Sequence, residues 1–219
     1  MTESTDDNYS RKRESMVVEQ IERRGIRDSA VLASMRAIPR HRFVPKKDLA
    51  RAYSDTPLPI GLDQTISQPY IVARMSEMLQ LPRKNPRNPV RVLEIGTGCG
   101  YQTAVLARLA DLVYSIEVIP DLAKTATERL SGLQNVHIRC ADGFAGWPDA
   151  APFDGILVAA APPKIPPPLL AQLKVGGRLI IPVGTDQQQL MAVERTADDW
   201  IYEQALPVRF VPMVGQARE

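Results

Sequence analysis

Residues 90–184 alternate short runs rich in Val, Ile and Leu with segments of helical periodicity. The apolar runs are "VRVLEI" (90–95), "LVYSIEV" (112–118), "NVHIRC" (135–140), "FDGILVA" (153–159) and "RLIIPVG" (178–184). Helical patterns lie between them, at residues 101–110, 122–130 and 168–174. A strand that is apolar throughout is buried on both faces, which is typical of a parallel sheet covered by helices on each side. We therefore predict an α/β fold: a doubly wound, mostly parallel, Rossmann-like sheet.

The segments on either side of this region differ from it. After it, "QLMAVER" (189–195) and "WIYEQALPVRF" (200–210) have no helix between them, so they predict antiparallel strands at the C-terminal end of the sheet. Before it, residues 1–15 are polar and are predicted to be disordered. Residues 16–81 are predicted to form a helical and irregular extension on the substrate side. Residues 90–219 are predicted to form the ligand-binding sheet domain, with substrate-binding strands at its C-terminal end. "PRKNPRNP" (82–89) is a linker by composition.

The extension contains clear helix boundaries. Gly25 ends a first helix, and Asp28 can cap a second helix that Pro39 stops. Residues 40–66 show no clear period and predict an ordered, irregular segment. An amphipathic helix begins near Ser67, with Pro69 in its first turn.

Charge and composition exclude several functional classes. The net charge of +2 over 219 residues gives no electrostatic reason to expect nucleic acid or an anionic membrane as a partner. The N-terminus has no apolar signal segment, and no apolar run approaches the ~20 residues that a membrane span needs. Two cysteines do not make a disulfide framework. A cytoplasmic location is expected.

The run "VRVLEIGTGCGY" (90–101) predicts a nucleotide site, because it joins a strand, a glycine-rich turn and a helix. Its spacing, Gly96, Gly98 and Gly100, is not the G-x-G-x-x-G pattern of a dinucleotide site. It also lacks the Lys-Ser/Thr of a phosphate-binding P-loop. A tight turn with no ligand is the alternative interpretation.

Acidic residues at successive strand ends narrow the ligand. Glu94 would repel a diphosphate but suits an ammonium or sulfonium charge, and Glu117 can accept both hydroxyls of a ribose. Asp142 and Gly143 follow the third strand, where a carboxylate and an N–H group could read an adenine edge. Each acid alone could be a solvated surface group. Together they predict S-adenosyl-L-methionine as the cofactor, with no metal.

The methyl acceptor is predicted from what the chain lacks. "AAAPPKIP" (159–166) has neither the polar residue nor the aromatic of the Asp/Asn-Pro-Pro-aromatic motif of base methyltransferases. The chain has two histidines, His41 at a predicted surface position and His137 inside a strand. Neither is a good candidate for a general base. A carboxylate acceptor needs none, since its reference pKa of ~4 leaves it ionised at pH 7. "QTISQP" (64–69) offers hydroxyl donors at a helix start, although Ser67 there could simply be the helix cap.

From residue 15 onward the chain resembles the protein-L-isoaspartate O-methyltransferase family. The specific blocks are "PLPIG" with "QTIS", and the ending "VRFVPMVG". "VLEIGTGCGYQTAVLA" is common to class I methyltransferases in general. The resemblance implies a repair enzyme that methylates the free α-carboxylate of L-isoaspartyl residues in damaged proteins, after which the ester collapses to a succinimide that can reopen to aspartate. Another carboxyl or small-molecule O-methyltransferase, and a non-catalytic methyltransferase-like binding domain, remain alternatives.

The same resemblance implies site residues, position by position. Ser67 is the implied catalytic residue, and the other implied substrate-binding positions are Thr65, Ile66, Val211 and Pro212. The implied cofactor-binding residues are Glu94, Gly96, Gly98, Glu117, Asp142 and Gly143. Cys99 stands where serine is frequent in the family, and Val214 where some members are polar. The product would be S-adenosyl-L-homocysteine and the partners damaged proteins and peptides, with a monomer expected and the last strands of the sheet exchanged relative to most methyltransferases.

Overall fold

The first helical segment packs outside the sheet. The structure is a computed structural model that describes residues 5–82 and 87–215. Helix α1 (Thr5–Ser15) continues into a π-helical turn (Met16–Ile21) and a 3-10 turn (Glu22–Arg24), which Gly25 ends with φ of 95°. The sequence predicts disorder up to residue 15, and the structure differs from residue 5 onward.

Tertiary contacts explain why this polar segment is helical. The Tyr9 ring stacks on His41 with 4.0 Å between centroids, and Arg13 donates to the carbonyl of Arg36 at 2.5 Å. Both partners lie far along the chain, so no local apolar pattern could reveal the helix. The predicted linker at 82–89 lies partly outside the described residues.

The second helix and the segment after it follow the sequence prediction only in part. In α2 (Ser29–Ala37) the Asp28 carboxylate accepts the N–H groups of Ala30 and Val31, which confirms the predicted cap. The segment predicted to be irregular contains two 3-10 turns, Arg40–Phe43 and Lys46–Arg51, and a hairpin. The hairpin strands are β1 (Leu58–Gly61) and β2 (Gln64–Ile66), and they pair antiparallel. Helix α3 follows at Pro69–Met78.

A seven-stranded sheet forms the centre of the fold. Its strands are β3 (Arg91–Ile95), β4 (Leu112–Glu117), β5 (Val136–Cys140), β6 (Phe153–Val158), β7 (Leu173–Val183), β8 (Gln188–Arg195) and β9 (Trp200–Val208). Their order across the sheet is β5-β4-β3-β6-β7-β8-β9. The first five are parallel, and β8 and β9 are antiparallel, as the sequence predicts. The last three strands therefore lie side by side in chain order.

Helices cover both faces of this sheet. They are α4 (Tyr101–Leu109), α5 (Pro120–Arg129) and the short α6 (Pro167–Ala171), together with α3. In β3, Val92 packs on one face with Met75 of α3, and Leu93 packs on the other with Leu169 of α6. Burial on both faces confirms the doubly wound prediction.

One boundary differs from the sequence prediction. A helix is predicted over 168–174, but α6 ends at Ala171 and β7 begins at Leu173, five residues before the predicted strand. The cause is strand pairing, because Leu173 lies opposite Phe153 of β6 and the register shifts before Arg178 pairs with Gly155. Pairing across the sheet thus overrides the local helical pattern.

Candidate active site

A cavity of about 510 Å³ opens at the carboxyl ends of β3 and β4. Ligands of open α/β sheets bind at this edge, where the strand order reverses. β3, the first strand along the chain in this sheet, lies between β4 and β6, so the reversal falls at its end. The walls come from the glycine loop, the ends of β4 and β6, the segment from β2 to α3, and residues 207–214. The cavity thus joins the predicted cofactor and substrate segments.

The glycine loop has a backbone conformation that residues with a side chain rarely adopt. Gly96, Gly98 and Gly100 have φ of 93°, 55° and 87°. Gly100 takes the N-cap position of α4, and a Cβ there would lie 2.9 Å from Leu130. Gly96 and Gly98 line the cavity, so the loop presents bare backbone to a ligand.

Glu117 lines the cavity and also holds the loop in place. Its Oε2 accepts the N–H of Gly98 at 2.7 Å, and its Oε1 accepts the N–H of Ile119 at 3.0 Å. The side chain is almost fully buried at the end of β4. A carboxylate oxygen has two lone pairs, so each oxygen keeps one for a ligand hydroxyl. This geometry suits the ribose contact predicted for Glu117.

Glu94 lies behind the glycine loop and does not reach the cavity. It is fully buried and absent from the cavity lining, and its Oε2 accepts the hydroxyls of Thr103 (2.5 Å) and Ser115 (2.6 Å). Thr97, in the loop, lies 2.6 Å from the Ser115 oxygen. Since the Ser115 proton is committed to Glu94, Thr97 must donate to Ser115. The sequence predicts a direct contact between Glu94 and a positively charged ligand, whereas the structure places this side chain outside the cavity.

Burial also changes the acidity of Glu94. Desolvation raises its pKa to about 7, against the opposing effect of the Ser115 and Thr103 hydroxyls. Its Oε1 is buried without a hydrogen-bond partner among the described residues. The Glu94 carboxyl thus supports the loop, and it takes up a proton near neutral pH.

Of the two residues predicted to contact adenine, Gly143 lines the cavity and Asp142 lies outside its lining. Gly143 lines the cavity, and its backbone lies so close to Ile95 that a Cβ would collide with that side chain. Asp142 caps the 3-10 turn Gly143–Ala145 by accepting the N–H of Phe144 at 2.9 Å, and it lies against Gly215. Asp142 is not among the lining residues.

All the predicted substrate residues line the same cavity: Thr65, Ile66, Ser67, Val211 and Pro212. Two main-chain hydrogen bonds to Ala161 hold the C-terminal segment there. Ala161 donates to the carbonyl of Val211 at 2.8 Å and accepts the N–H of Met213 at 2.9 Å. The structure therefore brings together parts of the sequence that are about 145 residues apart.

Ser67 is not the cap of α3. Gln68 occupies the N-cap position, without a capping hydrogen bond from its side chain, and Pro69 is the first helical residue. Ser67 is half-buried and lines the cavity. The structure thus disfavours the alternative interpretation of this serine.

Neither histidine belongs to the cavity lining. His41 contacts the Tyr53 hydroxyl at 2.7 Å, and His137 stacks on Tyr114 at the outer strand β5. Sequence reasoning missed other lining residues, among them Gln102, whose amide donates to Ser76 at 2.9 Å and so ties α4 to α3. Gln102 is the second residue of α4, directly after the glycine loop. This position could have indicated a lining residue, because the start of α4 faces the ligand.

A model of the protein-L-isoaspartate(D-aspartate) O-methyltransferase family matches residues 11–218. The chain belongs to this family. Among its relatives, the protein-L-isoaspartate O-methyltransferase of a Picosynechococcus strain is 52% identical over 207 residues, 94% of this chain and 91% of the relative. That of Opitutus terrae is 53% identical over 210 residues, 94% of this chain and 88% of the relative. The family predicted from the sequence is confirmed.

Solved structures of the family share the fold. One protein-L-isoaspartate O-methyltransferase is 29% identical with a TM-score of 0.84, covering 94% of this chain and 67% of that one. A Plasmodium falciparum protein, named as a candidate member and solved with S-adenosyl-L-homocysteine, is 25% identical with a TM-score of 0.78. That match covers 92% of this chain and 98% of the other. In the described ranges, no helix of this family member is long and apolar enough to cross a membrane.

Proposed function

We propose that this protein transfers the methyl group of S-adenosyl-L-methionine to the free α-carboxylate of L-isoaspartyl residues in damaged proteins and peptides. The observation that carries the proposal is the shared cavity, which the glycine loop and Glu117 line together with Thr65, Ile66 and Ser67. Family membership over residues 11–218 gives the reaction class. The product is S-adenosyl-L-homocysteine, and the methyl ester formed collapses to a succinimide that can reopen to aspartate.

The residues on the cofactor side fit a nucleoside. Glu117 retains one lone pair on each oxygen for the ribose hydroxyls, and the Gly143 backbone, which lines the cavity, can contact the adenine ring. Gly96 and Gly98 allow close backbone approach by the amino-acid part. Asp142 and Glu94 act behind these contacts, by fixing the turn at Phe144 and the loop at Thr97.

The acceptor side needs positioning and no base. S-adenosyl-L-methionine supplies a methyl group activated by a sulfonium. An isoaspartyl carboxylate is ionised at pH 7. Its oxygen bonds to the methyl carbon while the carbon–sulfur bond breaks toward sulfur, so no proton moves. Ser67 donates a hydrogen bond that holds the carboxylate in line, and Val211 and Pro212, which line the same cavity, hold the peptide. The histidines lie elsewhere, which agrees with chemistry that needs no base.

We also propose that the enzyme works as a monomer in the cytoplasm, with proteins and peptides as partners and without nucleic acid. The small net charge of +2 supports the last point. We further propose the division predicted from the sequence, in which residues 16–81 form a substrate-side extension and residues 90–219 bind the cofactor and add substrate-binding strands at their C-terminal end.

A methyl-transfer assay tests the function. The protein is incubated with S-adenosyl-L-methionine labelled in the methyl group and with an isoaspartyl peptide, its normal aspartyl twin, or a free small carboxylate such as succinate. We expect label in the isoaspartyl peptide alone. Equal labelling of the twin peptide, or preferential labelling of succinate, would instead support a less selective carboxyl methyltransferase.

A further inference from the structure

The β1–β2 hairpin carries an exposed leucine beside the cavity. Leu62 is 53% exposed and lies at the tip, between Gly61 and the lining residue Gln64. Other large apolar side chains are exposed in the described residues, but at a distance from the cavity. Val175 lies near the start of β7, at the opposite end from the cavity. Ile201 and Tyr202 precede the lining residue Pro207 by six and five residues, or ~16–20 Å of strand.

The backbone at the tip makes this leucine unexpected. Leu62 and Asp63 have φ of 52° and 55°, the left-handed conformation of a two-residue hairpin turn. Asp, Asn and Gly adopt it readily, whereas a bulky apolar side chain rarely does. Neither the turn nor the core therefore accounts for a leucine at this position.

The base of the hairpin fixes the position of the tip. Leu58 and Ile66 are buried in the core, and Ile60 lies 3.5 Å from where a Cβ on Gly98 would be. From Leu62, about one step beyond Gln64 at the tip, to Ser67 the hairpin spans ~13 Å at ~3.3 Å per residue. An extended polypeptide covers the same span with three or four residues.

We propose that Leu62 contacts an apolar side chain of the acceptor polypeptide, three or four residues from the isoaspartyl residue. The inference rests on the proposed function, in which the acceptor is a protein or peptide whose reacting carboxylate lies at Ser67. The contact removes apolar surface from water on both partners, so it favours damaged sites that have an apolar neighbour at this spacing. Leu62 is then a specificity-determining residue outside the cavity itself.

Peptide selectivity tests the contact. The reference is an isoaspartyl peptide with serine at the third and fourth positions on both sides, and four further peptides each carry one leucine at one of these positions. The measured quantity is the ratio of kcat/KM for each leucine peptide to that for the reference. We expect the wild-type ratio to reach roughly fivefold to tenfold for at least one leucine position, mainly through KM.

Two variants complete the experiment. Leu62→Asn should reduce that ratio to about one; asparagine tolerates the left-handed conformation, so its melting temperature should be no lower than that of the wild type. Val175→Asn, a matched loss of an exposed apolar side chain, should keep the wild-type ratio. A wild type without preference among the peptides, or a preference that survives in Leu62→Asn, overturns the contact while leaving the proposed function intact. Failure to methylate any isoaspartyl peptide above its aspartyl twin overturns the proposed function itself.

Discussion

Replacing Glu94 by glutamine should remove a pH-dependent loss of stability. The Glu94 carboxyl is fully buried, and its pKa is raised from 4.5 to about 7 because burial penalises the charged form. Between these two pH values the folded protein holds the proton, whereas the unfolded chain releases it. The free energy of unfolding therefore falls as the pH rises from 4.5 to 7, and it stays lowered above that range.

The size of the effect follows from the two pKa values. At 1.36 kcal/mol per pH unit, a rise in pKa from 4.5 to about 7 corresponds to about 3 kcal/mol of unfolding free energy, most of which is lost between pH 5 and pH 8. The glutamine carbonyl can still accept the Thr103 and Ser115 hydroxyls. The glutamine NH₂ group takes the place of Oε1, which has no partner among the described residues. This unsatisfied donor lowers the free energy of unfolding by an amount that does not depend on pH.

Urea unfolding at pH 5, 6, 7 and 8 measures the effect. We expect Glu94→Gln to gain roughly 2 to 3 kcal/mol of unfolding free energy relative to the wild type from the lowest to the highest pH. Glu128→Gln, at an exposed position of α5, is the control and should follow the wild type. A difference between Glu94→Gln and the wild type that stays constant with pH would refute the reasoning that this carboxyl is desolvated and titrates near neutrality.

Substitutions at three further positions test the site. Gly98→Val should fold but lose S-adenosyl-L-methionine binding in calorimetry, because valine disfavours φ of 55° and its side chain occupies the cavity; unchanged affinity would contradict the placement of the cofactor. Glu117→Ala should lower the affinity roughly tenfold to a hundredfold, and also lower the melting temperature because the N–H groups of Gly98 and Ile119 lose their acceptor; a stability loss with full affinity would make Glu117 purely structural. At Ser67, methylation rates should follow the order Ser above Ala above Asp at similar stability, since this residue is not the cap of α3; full activity of Ser67→Asp would rule out its role at the carboxylate.

The sheet can be predicted from the sequence because its strands are buried on both faces. Runs such as residues 90–95 and 153–159 are rich in Val, Ile and Leu, and a buried parallel strand is the structure that such short runs favour. The hairpin cannot be predicted in the same way. Its strands have four and three residues, one of them Pro59, which is too short for a period to show. Helix α1 escapes prediction for a different reason, since its contacts with His41 and Arg36 are tertiary.

The site can be predicted as a set of segments but not in the orientation of each side chain. The place of Glu94 before the glycines suggests a ligand contact, yet strand alternation puts it on the same face as Val92, toward the covering helices. Ser67 is an ambiguous cap in the sequence, although Pro69 already favours Gln68 as the N-cap, because proline is preferred at the first helical position. These two signals are present locally. The approach of Val211 to Ala161 depends on the whole fold and leaves no local trace.

The most direct test of the account is the fate of an isoaspartyl peptide during repeated turnover. The wild-type protein is incubated with the peptide and S-adenosyl-L-methionine, and chromatography with mass spectrometry follows the isoaspartyl, methyl ester, succinimide and aspartyl forms over time. The account predicts that the ester appears first, then the succinimide, and that the aspartyl form accumulates while the isoaspartyl form declines. Replacing the methyl donor by S-adenosyl-L-homocysteine should abolish the conversion. An isoaspartyl peptide that is left unchanged by the active, folded protein would contradict the central claim.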